Sequence, residues 1–184
     1  IETASQKGFL GENIQGSDFS FTIQIRRGAG AAIFGETTSL LETLAGRAGE
    51  SHAKYIPVEE VGFRGKPTIV SNVESWAAIP VIFKKGAQWA AGNSTKVLIL
   101  SGQAANAGLI EVPLGTTLRD IIEKIGGGVA NGGKIKALQV GGPAGGIVPA
   151  DKLDLPLDFE SLEQAGAMMG SGNIQVLDDK TCIP

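Results

Sequence analysis

Lys96-Val97-Leu98-Ile99-Leu100-Ser101 and Gly108-Leu109-Ile110-Glu111-Val112-Pro113 decide the fold of this chain. Each run is short, aliphatic and β-branched, and a polar, Asn106-containing turn joins them. Together they predict two strands of a hairpin. The segment that follows carries unusually clear helix signals. Thr116 or Thr117 can cap it, Asp120 sits in the first turn, and Leu118, Ile121, Ile122 and Ile125 recur at i, i+3, i+4, i+7. Gly126-Gly127-Gly128 ends it. Lys134–Val140 and Asn173–Leu177 read as later strands. Hairpin, single helix, then further strands is the order of a small β-grasp domain, whose helix packs across one face of a mixed sheet.

Upstream the pattern differs. Residues 1–21 read as a helix end, a glycine turn from Gly8 to Gly11 and a short loop. Phe21–Arg27 alternates, with Phe21, Ile23 and Ile25 on one side and Thr22, Gln24 and Arg26 on the other, which predicts a strand. A glycine loop comes next, then a helix near Thr38–Ala45 with Leu40, Leu41 and Leu44 on one face. Gly46–Pro67 is polar and irregular. Ser71 or Asn72 can cap a further helix carrying Val73, Trp76, Ala77 and Ile79, which Pro80 is expected to kink or restart. Strand, glycine loop and helix in this order suit an α/β layer that binds a ligand at the strand's carboxyl end. The fold class is therefore α/β (α+β), in two domains: 1–90, the C-terminal part of an α/β domain, and 91–184, the β-grasp domain with a tail.

The loop Gly28-Ala29-Gly30-Ala31-Ala32-Ile33-Phe34-Gly35-Glu36-Thr37 nearly matches two phosphate-binding motifs and fails both. A dinucleotide fingerprint needs a third glycine where Ile33 stands, and a branched side chain there blocks close helix–strand packing. A P-loop needs lysine where Glu36 stands, and a carboxylate repels a triphosphate. The loop lets a ligand approach the backbone while excluding simple nucleoside-triphosphate chemistry. The same geometry also serves an ordinary tight turn.

Composition narrows the field further. Sixteen Lys and Arg against 19 Asp and Glu, with no basic run, argue against nucleic-acid binding. No apolar stretch approaches the ~20 residues that cross a bilayer, so direct membrane insertion is not expected. Cys182 is the only cysteine and fits a reducing, cytoplasmic setting as a packed or incidental thiol. The 27 glycines imply many tight turns or ligand-approached loops. Both ends read as cut from something longer. His52, alone in a polar loop, reads as a solvated or packing residue, and Trp76 and Trp89 as core or domain-interface residues. No serine–histidine pairing or metal-ligand spacing stands out.

Four segments in order resemble the flavoprotein subunit of respiratory complex I and its relatives in NAD-linked hydrogenases and formate dehydrogenases. They are Gly8-Phe9-Leu10-Gly11-Glu12-Asn13-Ile14 with Gly16–Phe19, Gly28–Leu41, Gly65–Ser75, and Val97–Leu118. The last resembles the opening of that family's soluble-ligand-binding β-grasp domain. The resemblance implies a first domain that binds FMN, accepts hydride from NAD(P)H and passes electrons singly to iron–sulfur clusters. It implies that Gly28, Gly30 and Gly35 lie against the flavin, and that Glu36, matching the first acid of a Gly-Glu-Glu run, is the catalytic carboxylate. Val70, Ser71, Asn72 and Ser75 match positions that hold the ribityl chain or phosphate. Lys54 matches a lysine facing the nicotinamide nucleotide.

Thr37 stands in place of the family's second acid, His52 in place of an arginine, and Tyr55 and Ile56 in place of two prolines. These departures gather on the nucleotide side. They put the pyridine-nucleotide preference in question more than flavin binding. A [4Fe-4S] motif is expected after Pro184, and other iron–sulfur subunits of a multi-subunit oxidoreductase are the expected partners, with peripheral attachment to a membrane through them. This chain alone, holding part of the flavin site, is expected to bind no cofactor tightly. The rival reading is a non-catalytic ligand-binding or subunit-docking module.

Overall fold

Alternation along Thr95–Gly102 (β1) buries Leu98 and Leu100 on one side and leaves Val97 and Ile99 half exposed on the other. The computed structural model describes residues 1–28, 35–53 and 55–183. β1 pairs antiparallel with β2 (Gly108–Pro113), Ile99 facing Leu109 and Lys96 facing Val112. It also pairs in parallel with β5 (Asn173–Asp178), Ile99 facing Asn173. β3 (Ile135–Val140) lies antiparallel to β5 on one side and to β4 (Gly146–Pro149) on the other. The five strands therefore run in the order β2-β1-β5-β3-β4, mixed in direction.

The helix between β2 and β3 starts where Thr117 caps it, its Oγ1 accepting from the Asp120 N–H at 3.1 Å. Leu118–Asp120 (α5) is α-helical and continues as a π turn over Ile121–Ile125, closed by the Gly126 N–H donating to the Ile121 carbonyl at 2.9 Å. Leu118, Ile121 and Ile122 are fully buried in one cluster with Leu98, Leu100, Leu138, Val140, Ile174 and Val176. Ile125, expected on the same face, is 41 % exposed. The wide turn inserts backbone into the i+7 spacing and rotates that residue outward. Strand β4 and helix α6 (Phe159–Gln164, capped by Asp158) carry no strong sequence signal of their own.

The chain divides into two compact units, Ile1–Ser71 and Asn72–Pro184. The division falls before helix α3 (Val73–Lys85), whose Glu74 reaches β1. Its Oε1 accepts from the Val97 N–H at 2.9 Å, and its carboxylate pairs with the Lys96 ammonium. α3 runs on through Pro80 without a break. Pro80 has no N–H to donate to the Trp76 carbonyl, and the residues of that turn are exposed. A short helix, α4 (Ala87–Asn93), leads into β1. Trp76 is largely exposed, which does not fit a core residue.

The first unit has a different build. It holds α1 (Glu2–Gln6) and α2 (Thr37–Leu44), with one isolated bridge between Gly11 and Phe21. The strand expected over Phe21–Arg27 does not form, and Phe21, Ile23 and Ile25 are all exposed. Alternation alone makes no strand. Beyond that bridge, no described segment pairs with this one to satisfy its backbone groups. Cys182 is exposed rather than packed. Among the described residues no helix is long and apolar enough to cross a membrane.

Candidate functional site

Glu36 opens α2 as its N-cap. Its carboxylate accepts from the N–H groups of Thr38 at 2.8 Å and Ser39 at 3.0 Å, and from the Thr38 hydroxyl. These bonds satisfy donors that a helix start leaves orphaned. Thr38 and Ser39 are buried polar residues, and each hydroxyl ties the following loop back to the helix. The Ser39 Oγ donates to the Gly49 carbonyl at 2.6 Å, and the Thr38 Oγ1 accepts from the His52 N–H at 3.1 Å. The segment carrying His52 is thus anchored to the Glu36 cap through two hydroxyls.

A second loop, residues 57–68, closes on itself. The Thr68 N–H donates to the Val58 carbonyl at 3.0 Å, the Gly62 N–H to the Lys66 carbonyl at 2.9 Å, and the Phe63 N–H to the Thr68 Oγ1 at 2.8 Å. Gly62 is required here, since a Cβ would lie 2.4 Å from the Thr68 Cβ. This closure holds Arg64 in the left-handed region, at φ 54° and ψ 36°, with its guanidinium 5.1 Å from the centre of the Phe63 ring. Left-handed backbone is costly for a residue that is neither Gly nor Asn.

Between α2 and this loop lies a cleft of about 250 Å³, lined among others by Leu41, Glu42, Arg47, His52, Tyr55 and Arg64. Glu42 and Arg47 pair across its wall, the Arg47 Nη2 donating to Oε1 at 2.9 Å. That hydrogen bond is the main cause holding the Glu42 carboxyl below its ordinary range and the Arg47 guanidinium above its own.

The site residues expected from sequence fall in both units. In the first, Gly28 and Gly35 face open space, and a Cβ on either would meet nothing within 4 Å. Thr37 is the first residue of α2, half-buried, and Val70 and Ser71 are exposed. In the second unit, the Asn72 Oδ1 caps α3 by accepting from the Glu74 N–H at 2.8 Å, and Ser75 is exposed in the first turn. Gly30 and Lys54 lie outside the described residues. Within the first unit, the open space at Gly28 and Gly35 leaves room for a flat group such as a flavin against the backbone. Arg64, Phe63 and the Glu42–Arg47 pair carry no motif in the sequence. Their one signal there is the pair of glycines at 62 and 65 that bracket Phe63-Arg64.

No family model matches the chain. Among curated proteins it is similar to the NADP-reducing hydrogenase subunit HndC of Solidesulfovibrio fructosivorans, at 44% identity over 100% of this chain and 39% of that protein. It is similar also to an NADH-quinone oxidoreductase subunit of Rhizobium meliloti (strain 1021), at 39% identity over 100% of the chain and 45% of that protein. The chain is homologous to these subunits. It spans about two-fifths of the length of these curated relatives. Among solved structures, the NAD+-reducing [NiFe]-hydrogenase in its air-oxidized state superposes with a TM-score of 0.75 at 33% identity, over 88% of this chain and 28% of that one.

Proposed function

We propose that this chain is part of a flavoprotein subunit that oxidises NAD(P)H through FMN and delivers electrons to iron–sulfur clusters of a multi-subunit oxidoreductase. The observation that carries this reading is similarity along the whole chain, at 44% and 39% identity, to subunits named for NADP reduction and NADH–quinone oxidoreduction. FMN, when bound, supplies the exchange between two-electron hydride chemistry and single-electron transfer. The chain's own work is placement. Gly28, Gly30 and Gly35 let backbone approach the flavin; Val70, Ser71, Asn72 and Ser75 hold its polar tail; Lys54 and the cleft face the nucleotide. Glu36 spends its carboxylate on capping α2. That favours a positioning part for this residue over one in the hydride step.

The strand order β2-β1-β5-β3-β4, a parallel central pair, and one helix after the first hairpin support a β-grasp reading of the second unit. On this reading the partners are iron–sulfur subunits, and any membrane attachment is peripheral and cytoplasmic.

The test is the visible spectrum of the whole subunit with NADH and NADPH added separately. Bleaching of a flavin band by either nucleotide supports the reading. A protein with neither flavin nor nucleotide response would leave a docking module instead. Thr37→Glu restores the second acid of the loop. It should shift the ratio of the two kcat/KM values toward NADH by about 1–2 kcal/mol, the size expected for a charge a few ångströms from a phosphate at intermediate dielectric.

A further inference from the structure

We infer that Arg64 is a specificity residue of the first unit's cleft, selecting an adenine nucleotide that carries a phosphate monoester over one that lacks it. The inference rests on the nucleotide-binding reading above and deepens it. Its first support is conformational. Arg64 sits at φ 54°, and the loop's own hydrogen bonds and the tight Gly62 turn hold it there. Backbone strain of this kind, sustained by surrounding structure, is a feature of ligand-contacting positions.

The second support is charge. Among the described residues that line the cleft, Glu42 is the only acid, and Arg47 already pairs with it. Arg64 also lines the cleft and makes no ion pair among the described residues; its guanidinium lies against the face of Phe63. Glu59 and Glu60 belong to the same loop but do not line the cleft. The wall therefore presents one guanidinium without a carboxylate partner, with the His52 imidazole as the further nitrogen group.

The third support is shape and stacking. Tyr55 and Phe63 also line the cleft beside the aliphatic Leu41 and Ile56. Flat apolar walls accept a base, and a planar guanidinium matches the oxygens of a dianionic phosphate two at a time. Contact with the Phe63 ring holds the fork in place, which lowers the ordering cost on binding. A phosphodiester or pyrophosphate offers fewer free oxygens and less charge than a monoester, so the preference goes to the monoester.

The experiment titrates the whole subunit with NADP+, NAD+ and inorganic phosphate, by calorimetry at low ionic strength; the two nucleotides share the pyrophosphate and differ only in the monoester. The variants are Arg64→Asn, which tolerates left-handed backbone, and Arg64→Lys, which keeps the charge without the fork. The expected result is that NADP+ binds about tenfold more tightly than NAD+. Arg64→Asn should abolish that ratio, Arg64→Lys should reduce it in part, and the affinity for NAD+ should stay within about twofold in both. Equal binding of the two nucleotides by the parent chain, or an unchanged ratio in Arg64→Asn, overturns the role of Arg64 and leaves the nucleotide reading standing. Binding of neither nucleotide overturns both. Inorganic phosphate binding as tightly as NADP+ overturns the nucleotide part and assigns the guanidinium to free phosphate. Unchanged far-ultraviolet circular dichroism in each variant separates lost recognition from lost folding.

Discussion

The two units of this chain solve the problem of holding a fold in opposite ways. In the second, the buried residues from Leu98 to Val176 form one continuous apolar cluster. In the first, the only fully buried residues described are two hydroxyl side chains, Thr38 and Ser39. Its large apolar groups, among them Phe9, Phe19, Phe21, Ile25 and Tyr55, are exposed. One unit rests on area removed from water; the other rests on caps, hydroxyl bridges and self-closing loops. Each net hydrogen bond contributes only about 1 kcal/mol, while burying a Leu or Ile contributes about 1.5–3 kcal/mol. A body held by its core and a body held by local bonds are what such a difference produces.

The largest effect expected from this contrast is in hydrogen exchange. Amides of β1, β3 and β5 should be protected at least about a hundredfold more than those of residues 46–71, as buried-core strands exceed loop-built regions. Equal protection would erase the distinction between the units. Next in size, Ile122→Ala should cost about 2–5 kcal/mol in urea unfolding, since the side chain is fully buried under the sheet. A loss below about half a kcal/mol would mean that the helix does not hold the core together. Smaller again, Glu36→Ala should cost about 1 kcal/mol, the usual worth of an N-cap. The loss should appear in exchange of the α2 amides while the β1 amides keep their protection.

The smallest effect is electrostatic and sharpens the boundary between the units. Burial raises the Glu74 carboxyl, but the hydrogen bonds from Lys96 and the Val97 N–H outweigh it and hold the group below its ordinary 4.5. A depressed folded value means that the contribution is fully present above about pH 4.5 and fades as pH falls through the folded value. Glu74→Gln should therefore lose less stability than the parent between pH 5 and pH 3, the difference staying under about 1 kcal/mol because the pair is partly solvated. The sign is the test: a variant more acid-sensitive than the parent would show that Glu74 does not bind α3 to β1.

The second unit is largely legible in the sequence because its signals agree with one another. Lys96–Ser101, Gly108–Pro113, Lys134–Val140 and Asn173–Leu177 all form strands, with ends shifted by a residue or so. Thr117 is the cap. β4 is not legible, because Gly146-Ile147-Val148-Pro149 is too short to show a period and depends on β3 for its pairing. The π turn is hidden for the opposite reason: Leu118, Ile121, Ile122 and Ile125 look like one unbroken α-helical face.

In the first unit, local pattern misleads. Phe21, Ile23 and Ile25 alternate as a strand would, yet pairing is a property of two segments and no described segment continues the single Gly11–Phe21 bridge. The Glu36 cap is visible as an acid beside a helix start. The cleft is invisible because Arg64 acquires its place from a loop closure between Val58 and Thr68 that no spacing rule encodes.

The parallel pairing of β1 with β5 sets a timetable for biosynthesis. Ile99 meets Asn173 at the centre of the sheet, so the first strand made waits for the last one before its second edge is covered. Until that happens, a nascent chain emerging from the ribosome carries β1 and β2 as a hairpin with Leu98 and Leu100 uncovered. Such far-separated pairings slow folding and lengthen the interval of aggregation risk. The second unit becomes a stable body only once translation has passed Asp178, which makes that interval the one in which a chaperone has most to protect.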